Sequence, residues 1–173
     1  MKLSTTTFVL LLFSTITFAQ KMDKINIEQR VAAIEDKMAI KFVVDEFSNL
    51  ADTKEIDKQV LLFTEDGVVE SVSNGQPGNV LRGREQLKQA FTAFLNNFHT
   101  VYHQNGQQTI TLNCDKATAT NYCRVILVGK QNGKDMKTTL YTIYKDDFVK
   151  ENGKWLIKHR TSNFVHREVV EVN

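Results

Sequence analysis

Few residues in this chain have both the type and the setting for acid–base chemistry, and Asp52 and His103 stand out. Asp52 follows a long run with helical apolar spacing and precedes a shorter one ending in Leu61, Leu62 and Phe63. A carboxylate at such an elbow has two readings. It caps the second helix, with Glu55 three residues on completing a capping box, or it stands at the mouth of whatever the two helices cover. One oxygen can cap while the other faces inward, so both readings stay open. An aspartate bonded to one ring nitrogen of a histidine fixes the tautomer and raises the basicity of the other nitrogen. Free histidine titrates at about 6.5. A partnered histidine can therefore take a proton from carbon beside a carbonyl or leaving group and return it elsewhere.

For that chemistry His103 must point inward. It lies on a strand expected over residues 101–112, whose apolar face is marked by Ile110 and Leu112. Strict alternation puts His103 on the opposite face. A bulge inserts one residue and reverses the parity, and glycine is a frequent bulge residue. Gly106, within Gln104-Asn105-Gly106-Gln107, is the candidate. Without the bulge, His103 is a polar residue on an outer sheet face. Tyr102, Asn121, Tyr141, Thr142, Tyr144 and His159 also lie on expected strands and can line a common hollow. His159 ranks next because it shares a face with Trp155 and Ile157. Arg160 alternates outward by the same rule.

The elements that position these residues can be read in order. Ile27, Val31, Ile34, Met38, Phe42 and Leu50, widened by Val43 and Phe47, predict a helix from Asn26 to about Ala51, with Asn26 and Gln29 as a capping pair. Ile56, Val60 and Phe63 give a second helix its buried face, and Thr64-Glu65-Asp66-Gly67 ends it. A short strand over 68–72 leads into a loop over 73–79. Gly83 opens a third helix carrying Leu87, Phe91, Phe94, Leu95 and Phe98. The period then changes to two, giving strands over 101–112, 117–129, 136–148 and 155–170 with turns between them. Helices first and antiparallel strands after predict an α+β fold, three helices packed on a strongly curved, mostly antiparallel sheet that forms a cone-shaped pocket.

The stretches LADTKEIDKQVLLFTEDGVVE, LRGREQLKQAF, TVYHQNGQQTITLNCDKATATNY and DDFVKENGKWLIKHR occur in an order that resembles the SnoaL-like branch of the nuclear transport factor 2-like superfamily. The resemblance runs from about Ile34 to Arg160. It implies the cone fold, and a pocket in which an Asp ending the first helix pairs with a His on the first long strand, matched here by Asp52 and His103. It also implies an assisting Arg on the last strand, for which Arg160 is the nearest match. Phe47 stands where such enzymes often carry Tyr or Lys, an apolar departure. Members include dehydratases, isomerases, cyclases, dehydrochlorinases and hydrolases, so the fold does not fix the reaction. The implied function is a cofactor-independent lyase or isomerase acting on a small, largely apolar compound. The alternatives are non-catalytic binding of a hydrophobic small molecule and a homodimer-forming module. Catalysis is assigned to Asp52 and His103, and substrate contacts to Arg160, His159, Asn121, Tyr102 and Phe47.

Composition bounds the setting. Lys2, the apolar run ending at Phe18, and Thr17-Phe18-Ala19 before Gln20 have the pattern of a secretory signal peptide over residues 1–19. One domain over residues 20–173 is expected to follow, secreted or periplasmic, with no lipid anchor and no membrane span. A net charge of +2 with acids and bases interspersed gives no footprint for nucleic acid. Cys114 at a turn and Cys123 up the returning strand lie farther apart than the roughly 4.4–6.8 Å between α-carbons of a disulfide, so two free thiols are expected. His99 and His103 have helical metal-pair spacing, but there is no glutamate between them and a strand begins there. No metal is expected. No glycine-rich phosphate loop or nucleophile elbow occurs, and no cofactor is expected.

Overall fold

The computed structural model describes the backbone of residues 5–172 and the side chains of residues 26–172. The expected leader over residues 1–19 lies outside the described side chains. The chain forms two compact units, residues 1–36 and residues 37–173. Helix α1 runs Thr5–Asp52, so Asn26 lies inside it rather than capping it. In the first unit Ile27, Val31 and Ile34 are exposed. Among the described residues, no helix is long and apolar enough to cross a membrane.

The second unit holds the end of α1, then α2 (Ile56–Gln59) with a 3₁₀ turn Val60–Leu62, β1 (Phe63–Ser73), β2 (Gln76–Arg82), α3 (Gly83–Leu95), β3 (Thr100–Asn113), β4 (Lys116–Gln131), β5 (Lys134–Glu151) and β6 (Lys154–Glu171). The sheet order is β2-β1-β6-β5-β4-β3. All neighbours are antiparallel except β1 and β6, which run parallel. The fold is therefore α+β, three helices packed on a six-stranded, curved and unclosed sheet.

Three sequence expectations need correction. On α1 the buried face is Ile40, Val43, Val44, Phe47, Leu50 and Ala51, while Met38 and Phe42 are exposed. Those buried positions recur every three or four residues and form their own stripe, rotated from the one expected. Residues 64–67 do not end the helix in a loop; they already belong to β1. The expected loop over 73–79 is a hairpin, with Asn74 and Gly75 both at positive φ, the signature of a tight two-residue turn. Pro77 is tolerated because β2 is the sheet's edge.

Helix, strand and core meet in one aromatic cluster. Phe47 packs edge-on against Phe63, Phe91 and Tyr144, with ring centroids 6.0, 6.1 and 6.3 Å apart. Phe148, Trp155, Ile157, Leu127 and Leu87 extend the same core. Cys123 is buried in it and Cys114 is exposed at its turn, both as free thiols.

Candidate functional site

The elbow that carries Asp52 is built by the backbone. Glu55 N–H donates to Leu50 O at 2.8 Å and Lys54 N–H to Ala51 O at 3.1 Å, with Lys54 at φ 58°. This is a Schellman ending of α1, made by a lysine where glycine is usual. Asp52 is thus the last helical residue. Glu55, not Asp52, precedes α2, and it makes no side-chain cap bond. The helix dipole disfavours a negative charge at that end.

Two donors from a single residue offset this. His103 backbone N–H donates to Asp52 Oδ2 at 3.1 Å, and His103 Nδ1 lies 2.6 Å from Asp52 Oδ1. A carboxylate only accepts, so Nδ1 carries the hydrogen, and in the neutral imidazole it is Nε2 that holds the free lone pair. Asp52 is 24% exposed and the His103 side chain 6%. His103 reaches this place because β3 does bulge. Asn105 pairs with Cys123 and Gln108 with Asn121, so three steps on β3 face two on β4. Val101, His103 and Asn105 then share the face of Gln108, Ile110 and Leu112. Asn105 ties the bulge to α1, donating to Asp45 Oδ1 at 3.1 Å and accepting from Ser48 Oγ at 3.1 Å.

His103 is in the wall of a cavity of about 270 Å³, slightly below the usual range for drug-sized ligands. The wall is mostly apolar: Phe47, Phe91, Phe94, Leu81, Leu127, Leu140, Tyr144 and Phe164. Gln59, Ser71, Asn79 and Ser162 are its other polar members.

A second bulge corrects the last strand. Ile157 pairs with Phe148 and His159 with Asp147, so Lys158 is the extra residue. Parity reverses there, turning Arg160 inward and His159 outward, opposite to what alternation alone predicts for both, while the family resemblance already puts Arg160 inside. His159 is half-buried, 3.5 Å from Glu70 and 3.7 Å from Asp147, away from the cavity. Arg160 is 1% exposed. It donates from Nε and Nη2 to the two oxygens of Asp146 at 2.7 and 2.8 Å. Its guanidinium lies against the rings of both Phe47 and Tyr144, 4.2 and 4.4 Å from their centroids. Burial alone would lower its pKa, but the charge and hydrogen bonds of Asp146 outweigh that and raise it. Burial likewise raises the Tyr144 phenol, and it lifts the Cys123 thiol to about 11 despite the nearby Arg160 charge.

Asn121 donates to Asp146 Oδ2 at 2.7 Å, so it belongs to this buried network beneath the cavity wall. Tyr102 is 52% exposed, because alternation along β3 turns it away from His103. Of the residues singled out from sequence, His103 and Phe47 line the cavity, and Asp52 reaches it only through its two bonds to His103. Arg160 and Asn121 lie under it, and Tyr102 and His159 lie outside. Sequence reasoning missed Gln59 and Asp146. Both had a signal: Gln59 falls on the apolar face of Ile56, Val60 and Phe63, and Asp146 sits midway between Tyr144 and Phe148 at the same parity.

A helix-lidded curved sheet with an apolar hollow defines a class of small pocket proteins. Within that class, the SnoaL-like domain profile matches residues 32–161, and the chain belongs to the SnoaL-like domain family. Members of this family bind small molecules in such a pocket. Solved structures with the same fold include a protein described as a putative scytalone dehydratase from Novosphingobium aromaticivorans, with TM-score 0.69 and 22% identity over 82% of this chain and 91% of that one. A protein of unknown function with a cystatin-like fold from Nostoc punctiforme gives 0.61 and 26%, over 74% and 90%. A type 2 hexachlorocyclohexane dehydrochlorinase gives 0.68 and 11%, over 80% and 90%. No curated protein matches the sequence significantly.

Proposed function

We propose that this chain is a cofactor-independent lyase or isomerase that moves a proton with the Asp52–His103 pair. The observation that carries this reading is the two-point grip of Asp52 on His103 at the wall of an apolar cavity. With Nδ1 held, Nε2 takes a proton from carbon beside a carbonyl or leaving group. The imidazolium that forms is stabilised by the Asp52 carboxylate. It then gives the proton to a departing hydroxyl, which leaves as water, or to another carbon, which completes an isomerisation. Apolar walls keep bulk water from competing for that proton. Phe47 contributes shape rather than a hydrogen bond. Two fold neighbours bear the names of eliminating enzymes, which agrees with this chemistry.

The test is solvent deuterium uptake and elimination on a panel of small β-hydroxy ketones, with wild type and His103→Ala compared. Loss of rate by about 10²–10⁴ in the variant is expected. Equal rates would sink the proposal. The apolar wall also favours a second reading, a non-catalytic site for a hydrophobic small molecule. Under that reading, compounds raise the melting temperature of both proteins equally and neither turns them over.

The proposal extends to setting and assembly. Residues 1–19 are removed on export, leaving one domain over residues 20–173, so the mature N-terminus is Gln20 by sequencing. The exposed sheet face carrying Tyr102, Tyr122 and Val165 pairs two copies into a homodimer, which light scattering would report as twice the chain mass.

A further inference from the structure

We infer that the ligand of this cavity carries a hydrogen-bond donor, a hydroxyl or N–H on an otherwise apolar frame, and that Gln59 is the residue that selects it. The inference deepens the proposed function, on which it rests for taking the cavity as the substrate site.

Gln59 ends α2 on the same face as Ile56, which makes it a wall residue of the cavity, and it is 1% exposed. Its amide orientation is fixed. Nε2 donates to the backbone oxygen of Phe47 at 2.9 Å. The opposite flip would set two acceptors against each other, so the group facing Phe47 must be the NH2. Oε1 is therefore an acceptor, and it is buried without any hydrogen-bond partner. Buried polar atoms are nearly always paired, and each exception calls for an explanation. Here the explanation is a ligand that supplies the missing donor.

The second polar group on the wall points the same way. With Nδ1–H committed to Asp52, His103 presents an acceptor at Nε2. An unpaired acceptor discriminates sharply. A ligand that lacks the donor leaves Oε1 desolvated and unmatched, whereas an extra methylene on an apolar wall changes affinity only slightly. Gln59 is thus a specificity-determining residue, and the substrates it admits are alcohols, phenols or amines rather than their methyl ethers or hydrocarbons.

The experiment is titration of the full chain with 2-naphthol, 2-methoxynaphthalene and naphthalene, a series that keeps the bicyclic frame and removes the donor. Wild type is expected to bind 2-naphthol at least tenfold more tightly than either of the others. In Gln59→Leu the preference falls to about twofold or less. Should the Leu variant fail to fold, His103→Ala decides: a preference for 2-naphthol that persists there is assigned to Gln59, and one that disappears overturns the inference. Equal affinity for the three compounds, or no binding of 2-naphthol at its solubility limit, overturns the inference. So does a preference that survives Gln59→Leu and disappears in His103→Ala, which would assign the selection to the imidazole. These outcomes concern binding alone. Failure of the proton-transfer reading shows separately, as a deuterium uptake that His103→Ala leaves unchanged.

Discussion

Replacing Asp52 with asparagine tests the site without any knowledge of the substrate. In the native pair both carboxylate oxygens accept, one from His103 backbone N–H at 3.1 Å and one from Nδ1–H at 2.6 Å. An amide offers one acceptor. Its NH2 must face either the backbone N–H or Nδ1, and the shorter, charge-assisted bond is the one with most to lose. If the oxygen stays with the backbone, the imidazole can pair with the NH2 only by moving its hydrogen to Nε2. The lost bond is worth about 1.5–3 kcal/mol for a charged acceptor, with partial exposure of Asp52 favouring the lower half. Removing the charge from the helix C-terminus returns a few tenths of a kcal/mol. A net loss of about 1.5 kcal/mol lowers the melting temperature by roughly 3–6 °C in a domain of this size. Two measurements follow: a melting curve, and the ¹⁵N-detected tautomer of His103, which is expected to change from Nδ1–H in wild type to Nε2–H in the variant. A melting temperature within a degree of wild type, or an Nε2–H tautomer already in wild type, would refute the reasoning.

Three further outcomes are expected. Arg160→Met strands the Asp146 carboxylate with Asn121 alone, and denaturant titration should show a loss of about 3–5 kcal/mol; Arg160→Met with Asp146→Leu should lose less than either single change, measured the same way. Asn105→Ala unties the β3 bulge from Asp45 and Ser48, and ¹H–¹⁵N spectra should show exchange broadening at His103 while the sheet over β4 and β5 is unchanged. Cys123 has a folded pKa of about 11 against an ordinary value near 9.0, so its contribution to stability is complete below pH 9 and lost as the pH rises toward 11. At pH 8 iodoacetamide should therefore label Cys114 and leave Cys123 protected until denaturant is added, as read by peptide mass spectrometry.

The order of the four long strands was legible because the period of apolar residues changes from helical to alternating near residue 100 and stays so, whereas the β1–β2 hairpin before α3 showed only as a short strand over 68–72. The β3 bulge was legible too, since a glycine sits where His103 and Ile110 fall out of step. What alternation could not reveal was the matching insertion at Lys158. No glycine marks it, and Trp155, Ile157 and His159 read as one uninterrupted face. That single hidden step misplaced both His159 and Arg160. The buried face of α1 was misread for another reason. The helix has apolar residues on more than one side, and only the sheet it packs against decides which side is covered. Phe42 and Phe47 are chemically alike, yet one is exposed and the other is at the centre of the aromatic cluster. Asp52 was legible as an important carboxylate but ambiguous in role, because cap spacing and elbow position coincide. The Schellman ending, which removes the cap reading, depends on Lys54 adopting a backbone conformation that its side chain does not announce.

The two strand insertions have a consequence for how such a pocket can change over time. Each decides, by the presence of one residue, which of two neighbours is delivered to the interior: His103 or Tyr102 on one side, Arg160 or His159 on the other. Deleting or adding a single codon at either point would exchange an imidazole for a phenol, or a guanidinium for an imidazole, by turning over the strand segment on one side of the insertion while the segment on the other side keeps its facing. In a scaffold built this way, small changes in chain length can redirect chemistry that would otherwise require several coordinated substitutions.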